Sequence, residues 1–143
     1  MKSALSLVVR RSIRATPERL FDAWTRPEQL TQWWGPSGVT CPHAEVDLRT
    51  GGSYRITNVM PNGETVDIVG EFQLVDRPRK LIYTWQIGPS DNEPERVTVL
   101  FTARGAETEV CIVHERIATP ASREGHAAGW AGCLDGLAAY VGG

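Results

Sequence analysis

The chain has 143 residues, 41% hydrophobic and 22% charged, with a formal net charge of −2 at pH 7. That length and balance suit one globular domain over residues 1–143 with its own core, and the lack of a basic excess excludes nucleic acid as the expected partner. No run of about 18 apolar residues occurs, so no membrane span is expected.

The apolar stretch near the start is short, and Arg10 and Arg11 stand where a secretory signal would have a small-residue cleavage site. The cysteines, Cys41, Cys111 and Cys133, are odd in number and widely spaced. That pattern argues against a disulfide framework or a zinc knuckle, and for reduced thiols packed as small hydrophobes in a cytoplasmic protein.

Residues 4–13 alternate, with Leu5, Leu7 and Val9 on one face and Ser6 and Arg10 on the other, which predicts a strand. Thr16 before Pro17 reads as an N-cap with proline at the first helical position; Leu20, Phe21 and Trp24 follow at helical spacing. Thr25-x-x-Glu28 reads as a capping box that opens a second short helix. Leu30, Trp33 and Trp34 form its apolar face, and Gly35-Pro36 ends it.

From residue 39 to 116 the period is two. Six strands are predicted, over residues 39–48, 53–60, 65–75, 80–87, 96–103 and 107–116. Turn signals separate them, at Thr50-Gly51-Gly52, Pro61-Asn62-Gly63, Asp76-Arg77-Pro78, residues 88–92 and Arg104-Gly105-Ala106. Links this short make neighbours pair antiparallel, as a meander. Leu81, Tyr83, Trp85 and Ile87 share a face, as do Val97, Val99, Phe101 and Ala103, and Val110, Ile112 and His114. The opposite face is wetter, but Leu100, Cys111 and Val113 interrupt it, which raises a homodimer as an expectation.

Thr119-Pro120 opens a C-terminal helix that runs to about residue 141, about 33 Å in length. His126, Trp130, Cys133, Leu134, Leu137 and Val141 fall on one stripe. Gly125, Gly129, Gly132 and Gly136 fall on a second. Each interior glycine costs about 1 kcal/mol relative to alanine, so close backbone approach is expected along that stripe.

The run from Phe21 to Leu30, then Trp33-Trp34-Gly35-Pro36, Asp47-Leu48-Arg49, Gly51-Gly52-Ser53-Tyr54-Arg55, Gly70-Glu71-Phe72, Leu81-Ile82-Tyr83-Thr84-Trp85, His114-Glu115, Gly125-His126 and Gly129-Trp130 together resemble the activator of Hsp90 ATPase homologue 1-like family. That family lies within the START/Bet v 1-like (SRPBCC) superfamily, and the resemblance covers about residues 5–141. It implies an α+β helix-grip fold: a curved seven-stranded antiparallel sheet, two short helices, and one long C-terminal helix over a hydrophobic cavity. Relatives of that kind include lipid and hormone carriers, polyketide cyclases and a cochaperone domain, so the fold does not choose among activities.

An apolar concavity with a few placed polar groups is the usual small-molecule site. The candidate ligand-binding residues are Trp34, at the mouth, with Tyr54, Phe72, Trp85, Phe101 and Trp130 as lining and His114 and His126 as polar groups. The two histidines lie on the inward face of the last strand and on the sheet-facing stripe of the helix. Meeting across the cavity, they would bind a carboxylate or hydroxyl, or do acid–base work near neutral pH. Glu45, Asp47, Glu71 and Glu115 are the strand carboxylates that would act as a base if one faced inward.

Two histidines are too few ligands for zinc, so no metal and no cofactor is expected. No Gly-x-Ser-x-Gly and no phosphate loop is present. Three readings stand: a binding protein for a small apolar or amphipathic molecule, a chaperone- or client-interacting protein, and a cyclase- or hydratase-like enzyme using cavity histidines or carboxylates.

Overall fold

The computed structural model describes residues 5–35, 38–88 and 93–142. The strand start at residue 4, the helix stop at Pro36 and residues 89–92 of the predicted turn lie outside the described residues. The elements run β1 (Leu5–Ile13), α1 (Pro17–Thr25), α2 (Pro27–Trp33), β2 (Thr40–Val46), β3 (Ser53–Val59), β4 (Thr65–Asp76), β5 (Lys80–Ile87), β6 (Glu95–Arg104), β7 (Glu107–Ile117) and α3 (Pro120–Gly142).

One antiparallel sheet has the order β1-β7-β6-β5-β4-β3-β2. The six-strand meander is present, and β1 joins its far end by pairing with β7. The two edge strands, β1 and β2, are consecutive in sequence, and α1 and α2 connect them. The expected α+β helix-grip architecture is the observed one.

Alternation sets which side chains meet. Val97 of β6 faces His114 of β7, Val99 faces Ile112, and Phe101 faces Val110, and every one of these is buried. One strand over, Tyr83 pairs with Val97 and Trp85 with Glu95. On the other face, Arg96 meets Glu115 in a two-pronged ion pair at 3.2 Å.

The helix caps follow the sequence in two places and depart from it in one. Thr16 Oγ1 accepts from the Arg19 N–H, and Thr119 Oγ1 from the Ser122 N–H. The capping box expected at Thr25 does not form. Thr25 ends α1 and donates its hydroxyl to the Phe21 carbonyl at 2.8 Å. The cap of α2 is Arg26, held extended at φ −91° and ψ 123° because Pro27 disfavours helical backbone in the residue before it.

The tryptophans, five in all, gather in one aromatic group where α1, α2 and α3 meet the sheet. Trp24 lies 5.1 Å from Trp33 and stacks on Trp130 at 6.0 Å. Trp34 meets Trp130 at 5.6 Å, and Trp85 meets it at 5.3 Å, between ring centroids.

The glycine stripe of α3 has two different causes. A Cβ at Gly136 would sit 2.7 Å from the Trp33 carbonyl oxygen, the close approach that was expected. At Gly125 and Gly129 a Cβ would meet nothing within 4 Å, so close packing does not explain them. Gly136→Ala is therefore expected to cost about 1–3 kcal/mol through overpacking. Gly129→Ala is expected to stabilise by about 0.5–1 kcal/mol through helix propensity. Urea denaturation of the two variants checks the contrast; shifts of the same sign would contradict it.

Candidate functional site

Between α3 and the concave face of the sheet lies a cavity of about 150 Å³, close to the volume that holds one benzene ring. Its wall is mostly apolar: Trp34, Trp85 and Trp130, with Met60, Val66, Ile68 and Cys133. Gly125 and Gly129 complete the helix side, and their missing side chains are what leave the space. Asn58 is a polar part of the wall. Its amide nitrogen donates to the carbonyls of Ile56 and Val66, each at 3.3 Å, so its oxygen is the part left to accept from a guest.

Trp85, Ile87, Gly125 and His126 are shared with a wider polar basin of about 460 Å³, bounded also by Gln86, Glu93, Glu95 and Ser122.

Where the two spaces meet, three ionisable side chains converge. His114 Nε2 lies 2.6 Å and His126 Nε2 3.0 Å from the same oxygen, Oε1 of Glu95. The two imidazoles stack at 4.3 Å between centroids, with planes 23° apart. Behind them the Trp130 indole N–H donates to His114 Nδ1 at 3.0 Å.

That last bond sets the tautomer. An indole N–H only donates, so Nδ1 must offer its lone pair and the ring proton sits on Nε2, facing the carboxylate. Burial pushes the His114 imidazole below its ordinary 6.5, and the neighbouring His126 adds to that, against the hydrogen bond to Glu95. For Glu95, part-burial would raise the carboxyl, but the hydrogen bonds from both histidines prevail and bring it down from 4.5 to about 2.

The ligating atoms of Glu95, His114 and His126 all lie within 4.8 Å of one another, as a metal ion would require. The hydrogen bonding opposes a metal there. A metal on His114 Nε2 would need the proton on Nδ1, which would then face the Trp130 N–H donor to donor. A thiolate nucleophile is likewise disfavoured, since burial pushes Cys133 up to about 12 and leaves it a thiol.

Both shifts carry stability. The folded state refuses a proton that unfolded His114 takes up, so its contribution is complete above about pH 6.5 and is lost as pH falls below that. The Glu95 contribution is complete above about pH 4.5 and is lost between there and about pH 2. The melting temperature is therefore expected to decline below pH 6.5 and again below 4.5, with Glu95→Gln removing the lower step. A midpoint flat across the upper window would contradict the His114 assignment.

The candidate residues divide by position. Trp34, Trp85, His126 and Trp130 line the cavity. His114 is fully buried and stands behind Glu95 and Trp130. Tyr54 and Phe72 border a separate void of about 20 Å³, and the Tyr54 hydroxyl is committed to the Thr84 carbonyl at 2.6 Å. Phe101 lies under α1, edge-on to Phe21 and Trp24 at 5.8 and 5.9 Å.

Of the four strand carboxylates, Glu45, Asp47 and Glu71 are exposed and Glu115 pairs with Arg96. The inward carboxylate is Glu95, which the sequence reading did not single out because it began the strand at residue 96. The signal was there: counting back by two from Phe101, Val99 and Val97 reaches residue 95.

One further group stands out. Trp85 is only 7% exposed, and its indole N–H has no acceptor among the described residues. Its counterparts in Trp24, Trp33 and Trp130 donate to the Tyr83 hydroxyl, the Ala23 carbonyl and His114.

Comparison with known proteins places this arrangement. The described helices include none long and apolar enough to cross a membrane. No curated protein matches the chain. Among solved structures, a protein from Chromobacterium violaceum is 25% identical and superposes with a TM-score of 0.87, over 95% of this chain and 96% of that one. The AHSA1 protein of Silicibacter pomeroyi is also 25% identical, with a TM-score of 0.83 over 94% and 96% of the two chains. An AHSA1-like protein from Aeromonas hydrophila, 23% identical, shares the fold at a TM-score of 0.80 over 96% and 92%. Residues 14–142 match the family described as Activator of Hsp90 ATPase homolog 1-like protein, and with nine-tenths of its length inside that match the chain belongs to this family, within the START/Bet v 1-like (SRPBCC) superfamily.

Proposed function

We propose that the chain, acting as one domain over residues 1–143, binds a small amphipathic molecule between α3 and the sheet. The observation that carries this reading is the apolar cavity itself, walled by Trp34, Trp85 and Trp130 with the Asn58 amide as its placed polar group. Gly125 and Gly129 support the same reading, because helix stability is given up there and space is gained.

A chaperone or client surface has weaker support. The large exposed hydrophobics among the described residues, Val8, Leu48 and Ile87, sit on β1, in the β2–β3 turn and at the end of β5. They form no shared patch of the kind such partners use.

Native mass spectrometry of the purified chain, followed by denaturing extraction, tests the binding reading. A stoichiometric small molecule is expected. A protein that stays empty after incubation with a broad set of aromatic and aliphatic amphiphiles would contradict it.

An enzymatic reading has one specific observation behind it. Glu95 orients His126 through Nε2, which leaves Nδ1 to exchange protons with a guest, as a general base held by a carboxylate does. Incubating the extracted compound in excess decides this. A new product that is lost in His126→Gln would make the chain a cyclase- or hydratase-like enzyme; unchanged compound leaves it a binding protein.

A further inference from the structure

We infer that the cavity is gated by acid: a proton taken up by His114 breaks the hydrogen bond that fixes Trp130 in the cavity wall, and the guest is released. This rests on the binding reading and adds its regulation.

His114 sits between two partners of opposite demand. Its Nε2 faces Glu95 Oε1 at 2.6 Å, and its Nδ1 accepts from the Trp130 indole at 3.0 Å. Both His114 and Trp130 are buried, and Trp130 lines the cavity. A neutral imidazole suits the two partners, with one donor for the carboxylate and one lone pair for the indole. An imidazolium does not. It carries a proton on each nitrogen, so Nδ1–H would point at the indole N–H, donor against donor. Turning the ring over brings no relief, because both nitrogens are then donors. The bond to Glu95 is strengthened by the new charge, so His114 stays with the carboxylate and Trp130 is the partner that gives way. The Trp130 ring packs on Trp34 and Trp85, which share the wall, so its displacement reshapes the space that a guest occupies.

Few other charges face His114. Its neighbours in the sheet are Leu7 of β1 and Val97 of β6, and β5 adds the Trp85 ring at 5.3 Å. From α3 comes His126, stacked on it at 4.3 Å. Among the described residues, Glu95 and His126 are therefore the charged or titratable groups that set its proton affinity. Burial lowers that affinity most, and His126 adds to this against the hydrogen bond to Glu95. A proton on His126 alone does not work the gate, since Trp130 donates to His114. The guest binds the neutral form, so affinity is full above about pH 6.5 and falls as pH drops through the lowered His114 value.

Isothermal titration of the full chain with phenol and with toluene, from neutral pH down to the acid limit of the fold, tests this. Neither probe changes charge over that range, since phenol, like a tyrosine side chain, ionises at about pH 10. Near-ultraviolet circular dichroism marks the acid limit. Both affinities are expected to fall together, by roughly fivefold or more between about pH 7.5 and 4.5.

His114→Gln should flatten the profile, because the glutamine amide keeps an acceptor for Trp130 and a donor for Glu95 but takes up no proton. His126→Gln should keep the fall and move it to higher pH, because a repelling neighbour is gone. Should His114→Gln fail to fold, the unaltered chain still decides. Its Trp130 indole proton signal, assigned by its loss in Trp130→Phe, should move upfield in step with protonation of His114 as the hydrogen bond breaks. A flat profile with the fold intact, a Trp130 signal that ignores His114 protonation, or a profile abolished by His126→Gln overturns the gate while leaving the binding reading standing. Failure of both probes to bind at neutral pH overturns both.

Discussion

Trp130→Ala is expected to lower the unfolding free energy by about 3–5 kcal/mol, the usual range for removing a buried tryptophan. Trp130 is 2% exposed and its ring touches Trp24, Trp34 and Trp85, so its loss opens the centre of the aromatic group rather than its rim. The same substitution also removes the only donor that holds His114 Nδ1 among the described residues.

Trp130→Phe separates the two roles. It keeps an aromatic ring at the centre of the group and loses the N–H with part of the indole, so stability should fall less while the His114 ring becomes free to change tautomer. Equilibrium denaturation gives the first quantity, and the imidazole nitrogen chemical shifts give the second. If Trp130→Ala costs under about 1 kcal/mol, the aromatic group is not the packing centre described above.

Gly70→Ala is expected to be comparably damaging, for a different reason. Gly70 lies on β4 opposite Tyr54 of β3, and a Cβ there would fall 2.0 Å from the Thr84 carbonyl oxygen and 2.8 Å from the Tyr54 ring. The ring could turn, but the carbonyl belongs to β5 and cannot move unless the two strands part. An expected loss of about 3 kcal/mol or more follows, at or beyond the upper end for overpacking. The functional consequence is local: Thr84 precedes Trp85, so a displaced β5 carries Trp85 away from Glu95. Binding of phenol should weaken even under conditions where the variant remains folded. A Gly70→Ala chain of unchanged stability would contradict the close approach of β4 to β5.

Much of this fold was legible because it is built from local pattern. Strands of clean alternation, such as Leu81-x-Tyr83-x-Trp85, announced both their existence and their buried face, and the two threonine–proline caps marked α1 and α3 where they begin. What stayed hidden depends on contacts between distant segments. The pairing of β1 with β7 has no local signature, because either edge of the meander would accept another strand.

The glycines of α3 show the same limit. Composition marks all of them as costly, but only the position of α2 distinguishes Gly136, pressed against the Trp33 carbonyl, from Gly125 and Gly129, which face open space.

In the site, alternation brought His114 inward and helical spacing put His126 on the facing stripe, and the structure stacks the two rings. Two things escaped. Glu95 lay one residue beyond the assigned strand end. The Trp85 N–H differs from three other indoles only in lacking an acceptor, which no sequence pattern records.

A small molecule is expected to enter this cavity and sit against the rings of Trp34, Trp85 and Trp130. The most direct test is a nitrogen–proton correlation spectrum of the indole N–H groups during titration with phenol, with the Trp85 signal assigned by its disappearance in Trp85→Phe. The Trp85 signal is expected to shift together with those of Trp34 and Trp130, whose rings share the cavity wall, while that of Trp33, which is not on it, stays in place. A Trp85 signal that stays in place while phenol saturates the protein would contradict it.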